Sequence, residues 1–163
     1  MTSPGPMARE EYGRLLNTLL EAERAGAKLL ADYIRELPAD SETGAWLSVI
    51  QRDEARNCSV LIHLLLEEGF EPSMAVGEFY RKGLALRGWN ARLRFLNRGQ
   101  QWVADRIASA LPQLSSFLGR KPLLVMYHSH LTNIGICGKQ LKSLPGDHDA
   151  NPARPAVRRA ADR

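Results

Sequence analysis

Three features of this sequence predict an all-α fold. Four long segments carry apolar residues at helical spacing, and no stretch alternates apolar and polar residues for long enough to form a sheet. The links between those segments run short, long, short, which a bundle with one long crossover requires. An up-down-up-down bundle needs only short loops.

The first segment covers about residues 7–37 and stops at Pro38. The second covers about residues 40–69, with Asp40 placed to cap its start and Gly69 to end it. The third covers about residues 90–111 and is closed by Pro112. The fourth covers about residues 121–144, with Pro122 acceptable in its first turn and Pro145 after its end. A tight turn at Pro38-Ala39 makes the first two segments an antiparallel hairpin, and residues 112–120 join the last two in the same way. The long link, residues 70–89, contains a short helical piece, VGEFYRKGLAL. This organisation gives a disordered start at residues 1–6, one helical domain at 7–145 and a disordered tail rich in Pro, Ala and Arg at 146–163.

Composition narrows the class. A chain of 163 residues, 44% hydrophobic, can bury one substantial core. No run of about 18 apolar residues exists, so no transmembrane helix is expected. The start, MTSPGPMAREE, lacks the pattern of a signal peptide. The two cysteines, Cys58 and Cys137, read as reduced thiols in a cytoplasm rather than as a disulfide framework. A net charge of +4 falls short of the footprint of a dedicated nucleic-acid binder. Arg87, Arg92, Arg94 and Arg98, grouped with Trp89, therefore read as a solvated helix face rather than a backbone-binding strip.

Each segment carries one polar residue on its apolar face. In LLEAERAGAK, Glu21 and Glu23 stand two apart, roughly 200° around a helix, so they cannot share a face. Glu23 aligns with Tyr12, Leu16, Leu30 and Ile34, whereas Glu21 aligns with Glu10, Arg14, Asn17 and Lys28 and should face solvent. By the same wheel, Glu54 aligns with Leu47, Ile50, Leu61 and Leu65. Gln100 aligns with Leu93, Leu96, Ile107 and Leu111, leaving Gln101 outside. His130 aligns with Leu123, Met126, Ile134 and Cys137, leaving His128 outside. Depth agrees with direction. Glu23 precedes Pro38 by fifteen residues and Glu54 follows it by sixteen, while Gln100 and His130 each lie fifteen from Ser115. One mid-bundle layer of Glu23, Glu54, Gln100 and His130 is the expectation.

The stretches LLEAERAGAK, RDEARNC, VGEFYRK, LNRGQQWV and SHLTNIGIC resemble the ferritin-like superfamily, and more closely a family of small bacterial ferritin-like domains. The resemblance implies a ferritin-like four-helix bundle and a site derived from a di-iron centre, in which two helices give a Glu and two give a Glu-x-x-His. Glu23 matches the lone Glu of the first helix, and Glu54 matches the Glu of the first Glu-x-x-His, with Asn57 in place of its His. Gln100 stands at the third helix's Glu. Tyr127 and His130 stand at the second Glu-x-x-His, so the His is kept and its Glu is not.

With two carboxylates in register, a full di-iron centre is not expected. Glu23, Glu54 and His130 suit one divalent ion of Fe, Mn or Zn, with Gln100 in the shell and Asp53 or Glu78 as further ligands. A buried Glu–His pair bridged by Gln100, Asn57 or Tyr127 satisfies the same groups without a metal. In that case the chain is a non-catalytic module for a protein partner or for a homodimer. Arg24 and Arg56 are available as counter-charges at the helix edges. No phosphate loop, CxxC pair or Ser–His–Asp pattern is present, so the sequence names no reaction.

Overall fold

The computed structural model describes residues 5–144; the expected tail and residues 1–4 lie outside the described residues. Among the described residues the chain is all-helical, with no strand. Four long helices, α1 (Arg9–Arg35), α2 (Glu42–Glu67), α4 (Trp89–Ala110) and α5 (Arg120–Ser143), are joined by turns and by one short helix, α3 (Glu78–Leu84). A 3-10 turn, Leu111–Gln113, follows α4.

Local chemistry sets the boundaries. The cap of α2 is Ser41, whose hydroxyl accepts from the Gly44 amide at 3.1 Å, and not Asp40. A serine oxygen there satisfies one of the four amides that open the helix, and Asp40 sits one residue too early to reach it. Beyond α2, Gly69 adopts φ 73°, the left-handed conformation that glycine takes without a Cβ penalty. Gly88 does the same before α4, at φ 80°.

The helices run in a definite sense. One apolar cluster gathers Leu16, Leu20, Leu61, Leu65, Ile107 and Met126; a second gathers Leu30, Leu47, Ile50, Leu93, Leu96 and Cys137. Along α1 and α5 the chain passes from the first cluster to the second, and along α2 and α4 it passes back. α2 and α4 are therefore parallel, and the segment between them returns along the length of the molecule. Helix α1 packs on α2, α4 packs on α5, and α3 lies against α1 and α4.

The returning segment is held by a polar edge of α1. Asn17 donates to the Glu71 carbonyl (3.1 Å) and accepts from the Ser73 amide (2.7 Å). The Ser73 hydroxyl donates to Glu21 at 2.5 Å, and Arg24 donates to the carbonyls of Ser73 (2.8 Å) and Ala75 (2.6 Å). Glu21 is consequently half-buried under this strap rather than facing open solvent as its wheel position suggested. Farther along, Tyr33 donates to the Gly83 carbonyl (2.8 Å) and Tyr80 donates to Asp32 (2.7 Å), fixing α3 on α1.

Of the arginine group around the start of α4, Arg87, Arg94 and Arg98 are exposed and Arg92 serves the fold. Arg92 bonds Glu36 and the Leu86 carbonyl and stacks on Tyr33 and Trp89. Its side chain is 13% exposed, so packing rather than display occupies it. Among the described residues, no helix is long and apolar enough to cross a membrane. Cys58 packs on the first cluster and Cys137 lies in the second, both as free thiols.

Candidate functional site

Between the two apolar clusters lies a layer of buried polar side chains, and it is the predicted one. Glu23, Glu54, Gln100 and His130 are each at most 3% exposed, and Asn57 is 8% exposed. They form one chain of hydrogen bonds. Asn57 donates to Glu23 Oε2 at 3.0 Å, and Glu23 Oε1 lies 2.7 Å from His130 Nε2. His130 Nδ1 lies 2.7 Å from Gln100 Oε1, and the Gln100 amide donates to Glu54 Oε1.

The amide of Gln100 fixes the histidine. Because its nitrogen is spent on Glu54, its oxygen faces Nδ1, and an amide oxygen can only accept. His130 therefore carries a proton on Nδ1 and presents Nε2 to Glu23. Both ring nitrogens are thus hydrogen-bonded. The Nδ1–H bond to a carbonyl is one that also orients histidine ligands, but Nε2 is taken by Glu23 and would have to give up that bond to hold a metal.

Glu54 is less well satisfied. Its Oε2 is buried and has no hydrogen-bond partner among the described residues. Burial pushes its carboxyl well above the usual carboxylate range, and the neighbouring Glu23 adds to this; the Gln100 bond acts in the opposite sense, and Asp53 raises it further. Space for the carboxyl comes from Gly26, one turn beyond Glu23 on α1: a Cβ there would overlap Glu54 Oε2. Sequence reasoning missed Gly26. An isolated glycine inside a run of strong helix formers was the available signal.

A cavity of about 460 Å³ opens onto this layer between α1, α3 and α4, and Glu23, Glu54, Gln100 and His130 all line it. Its walls include Ala22, Phe79, Phe95 and Val103. Phe79 and Phe95 stack with centroids 4.3 Å apart and planes 13° apart. Gly99 admits Phe79, which a Cβ would strike. Glu78, Lys82 and Trp102, all exposed, stand on the rim.

The other expected contributors go elsewhere. Asp53 accepts from Ser129 (3.2 Å) and pairs with Arg56 (3.2 Å), because it lies one residue around α2 from Glu54 and faces the α5 edge. Glu78 lines the cavity but is bound at the rim by Lys82 (3.0 Å) and Arg81 (3.5 Å), which hold its carboxyl below the usual range. Tyr127 packs half-buried on the first apolar cluster and beside the His128 ring, and it makes no bond to the layer. Arg24 is committed to the strap and Arg56 to Asp53, so neither serves as counter-charge to the two glutamates. Among the described residues, no three His, Cys, Asp or Glu side chains stand together as a ready-made shell for a metal ion.

The class defined so far is an all-helical domain with a buried carboxylate–imidazole layer at the floor of a cavity. The chain belongs to the family described as a domain of unknown function, DUF6306, whose model matches residues 10–139. That span takes in every residue of the layer. Searches among curated proteins and among solved structures gave no match.

Proposed function

We propose that this chain is a ferritin-like four-helix bundle, with α3 in its crossover, that holds one divalent cation between Glu23, Glu54 and His130. The observation that carries this reading is Glu54 Oε2, a buried oxygen without a partner in the same layer as the Glu23–His130 pair. Two carboxylates and one imidazole suit a single Fe, Mn or Zn ion, and they lack the four carboxylates of a di-iron pair. The donors do not converge on one point, so loading requires the Glu23–His130 bond to open and the Glu54 side chain to leave Gln100. A divalent ion held by these residues would supply a Lewis acid. Gln100 and Asn57 keep their places as orienting groups for His130 and Glu23.

A second reading is favoured by a different observation. Asn57, Glu23, His130 and Gln100 are all bonded without an ion, so the layer also works as a metal-free polar cluster inside a non-catalytic module. Such a module self-associates as a homodimer or docks a protein partner, and exposed Leu118 and Val125 offer apolar surface for this. In both readings the chain works in a reducing cytoplasm, a reading that the two free thiols, Cys58 and Cys137, support.

Calorimetric titration of chelator-treated protein with Mn(II) and Zn(II) tests the choice. The cation reading expects one site per chain, abolished in His130→Ala and Glu23→Ala. Absence of binding to folded wild-type protein, together with a stable dimer by light scattering, selects the second reading.

A further inference from the structure

We propose that the cavity between α1, α3 and α4 binds a small, flat, mostly apolar molecule carrying one hydroxyl, of the phenol or aryl-alcohol class, with the hydroxyl seated on Glu54 Oε2. Three observations point to this ligand. The first is the unpartnered oxygen itself: Glu54 is 3% exposed, lines the cavity, and has one carboxyl oxygen bonded to Gln100 and the other to nothing. That oxygen is enclosed against Gly26, so a ligand reaches it as the carboxyl turns toward the cavity. A buried polar atom without a partner is costly, and a ligand that supplies the partner gains what the empty site lacks. A hydroxyl both donates and accepts, so it completes Oε2 whether or not that oxygen carries a proton.

The second observation is shape. The cavity, about 460 Å³, falls within the range of small-molecule sites, roughly 300–1,000 Å³. One wall is the stacked Phe79–Phe95 pair, a flat face suited to a planar ring. The third is the pair of glycines at the floor and wall. Gly26 leaves room for the carboxyl, and Gly99 leaves room for Phe79 to lie flat against α4. The carboxyl and the Phe79 ring fill that room, so the two glycines set where the site's oxygen and its aromatic wall stand.

This inference goes beyond the cation reading and does not depend on it, since it needs only the free oxygen and the cavity. The two are separable because the binding test uses chelator-treated protein.

The test is fluorescence titration of the whole chain with 2-naphthol and with naphthalene, which share a ring system and differ by the hydroxyl. Wild-type protein is expected to bind 2-naphthol about tenfold more tightly than naphthalene, the worth of one buried hydrogen bond. Glu54→Leu is expected to abolish the difference, and Glu54→Gln, whose amide can still pair with a hydroxyl, to retain it. Equal affinity of wild type for the two probes, or binding of neither, overturns the proposal. So does a preference for 2-naphthol that survives in folded Glu54→Leu. Should Glu54→Leu fail to fold, the wild-type comparison and Glu54→Gln decide.

Discussion

The two carboxylates of the buried layer share a level and almost nothing else. Glu23 has both oxygens bonded, one to Asn57 and one to His130. Glu54 has one bonded oxygen and one without a partner, in a niche that Gly26 leaves open. The difference separates two jobs within one cluster. The Glu23 side is closed and holds the helices in register, and the Glu54 side is incomplete and borders the cavity. Changes on the closed side should therefore read in stability as well as in cation binding, and changes on the open side mainly in binding.

The largest effect should come from breaking the closed side. His130→Ala leaves Glu23 buried beside a cavity with its main partner gone. Loss of one member of a buried pair costs about 3–5 kcal/mol, which should lower the melting temperature on the order of 10 °C by calorimetry. Asn57→Ala removes a single donor to the same carboxylate and should cost about 1–3 kcal/mol by denaturant unfolding. If both variants melted like wild type, the closed side would not be the structural half.

The open side has its own pH signature. Glu54 keeps its proton in the folded chain above pH 4.5, where the unfolded chain has released it. The stability this contributes is complete below the unfolded value and is lost as pH rises through the folded one. Thermal melts of wild type should therefore fall along that window, and Glu54→Gln, which has nothing to titrate at this position, should show a flatter profile. Equal slopes would contradict the assignment. The smallest effect belongs to the rim. Glu78→Gln should leave both melting and cation binding unchanged, because Lys82 and Arg81 hold that carboxylate away from the layer.

Much of the layer is legible in the sequence alone. Helical periodicity alone separated Glu23, Glu54, Gln100 and His130 from their outward neighbours, and distance from each turn set them at one level. This works because a helix has a fixed angle and rise per residue. What periodicity cannot see is the surface between elements. Glu21 was read as solvent-facing because nothing in α1 says that residues 71–77 will lie across it. Asp53 stands next to Glu54 in sequence and Glu78 on the crossover segment, which makes both candidate ligands, but rotation around α2 and exposure on α3 send them to other partners. Tyr127 sits at the right offset from His130 for a Glu-x-x-His match, yet its side chain belongs to the apolar cluster. The cavity was out of reach for the same reason, since its walls come from three helices and two missing side chains.

The most direct measurement for the cation reading is a crystal structure of protein prepared with Mn(II) or Zn(II), with anomalous data collected at the metal edge. The account expects a single anomalous peak bounded by Glu23, Glu54 and His130, with the Glu54 side chain turned away from Gln100. A well-ordered site with no peak, and with the Gln100–Glu54 bond intact, would contradict it.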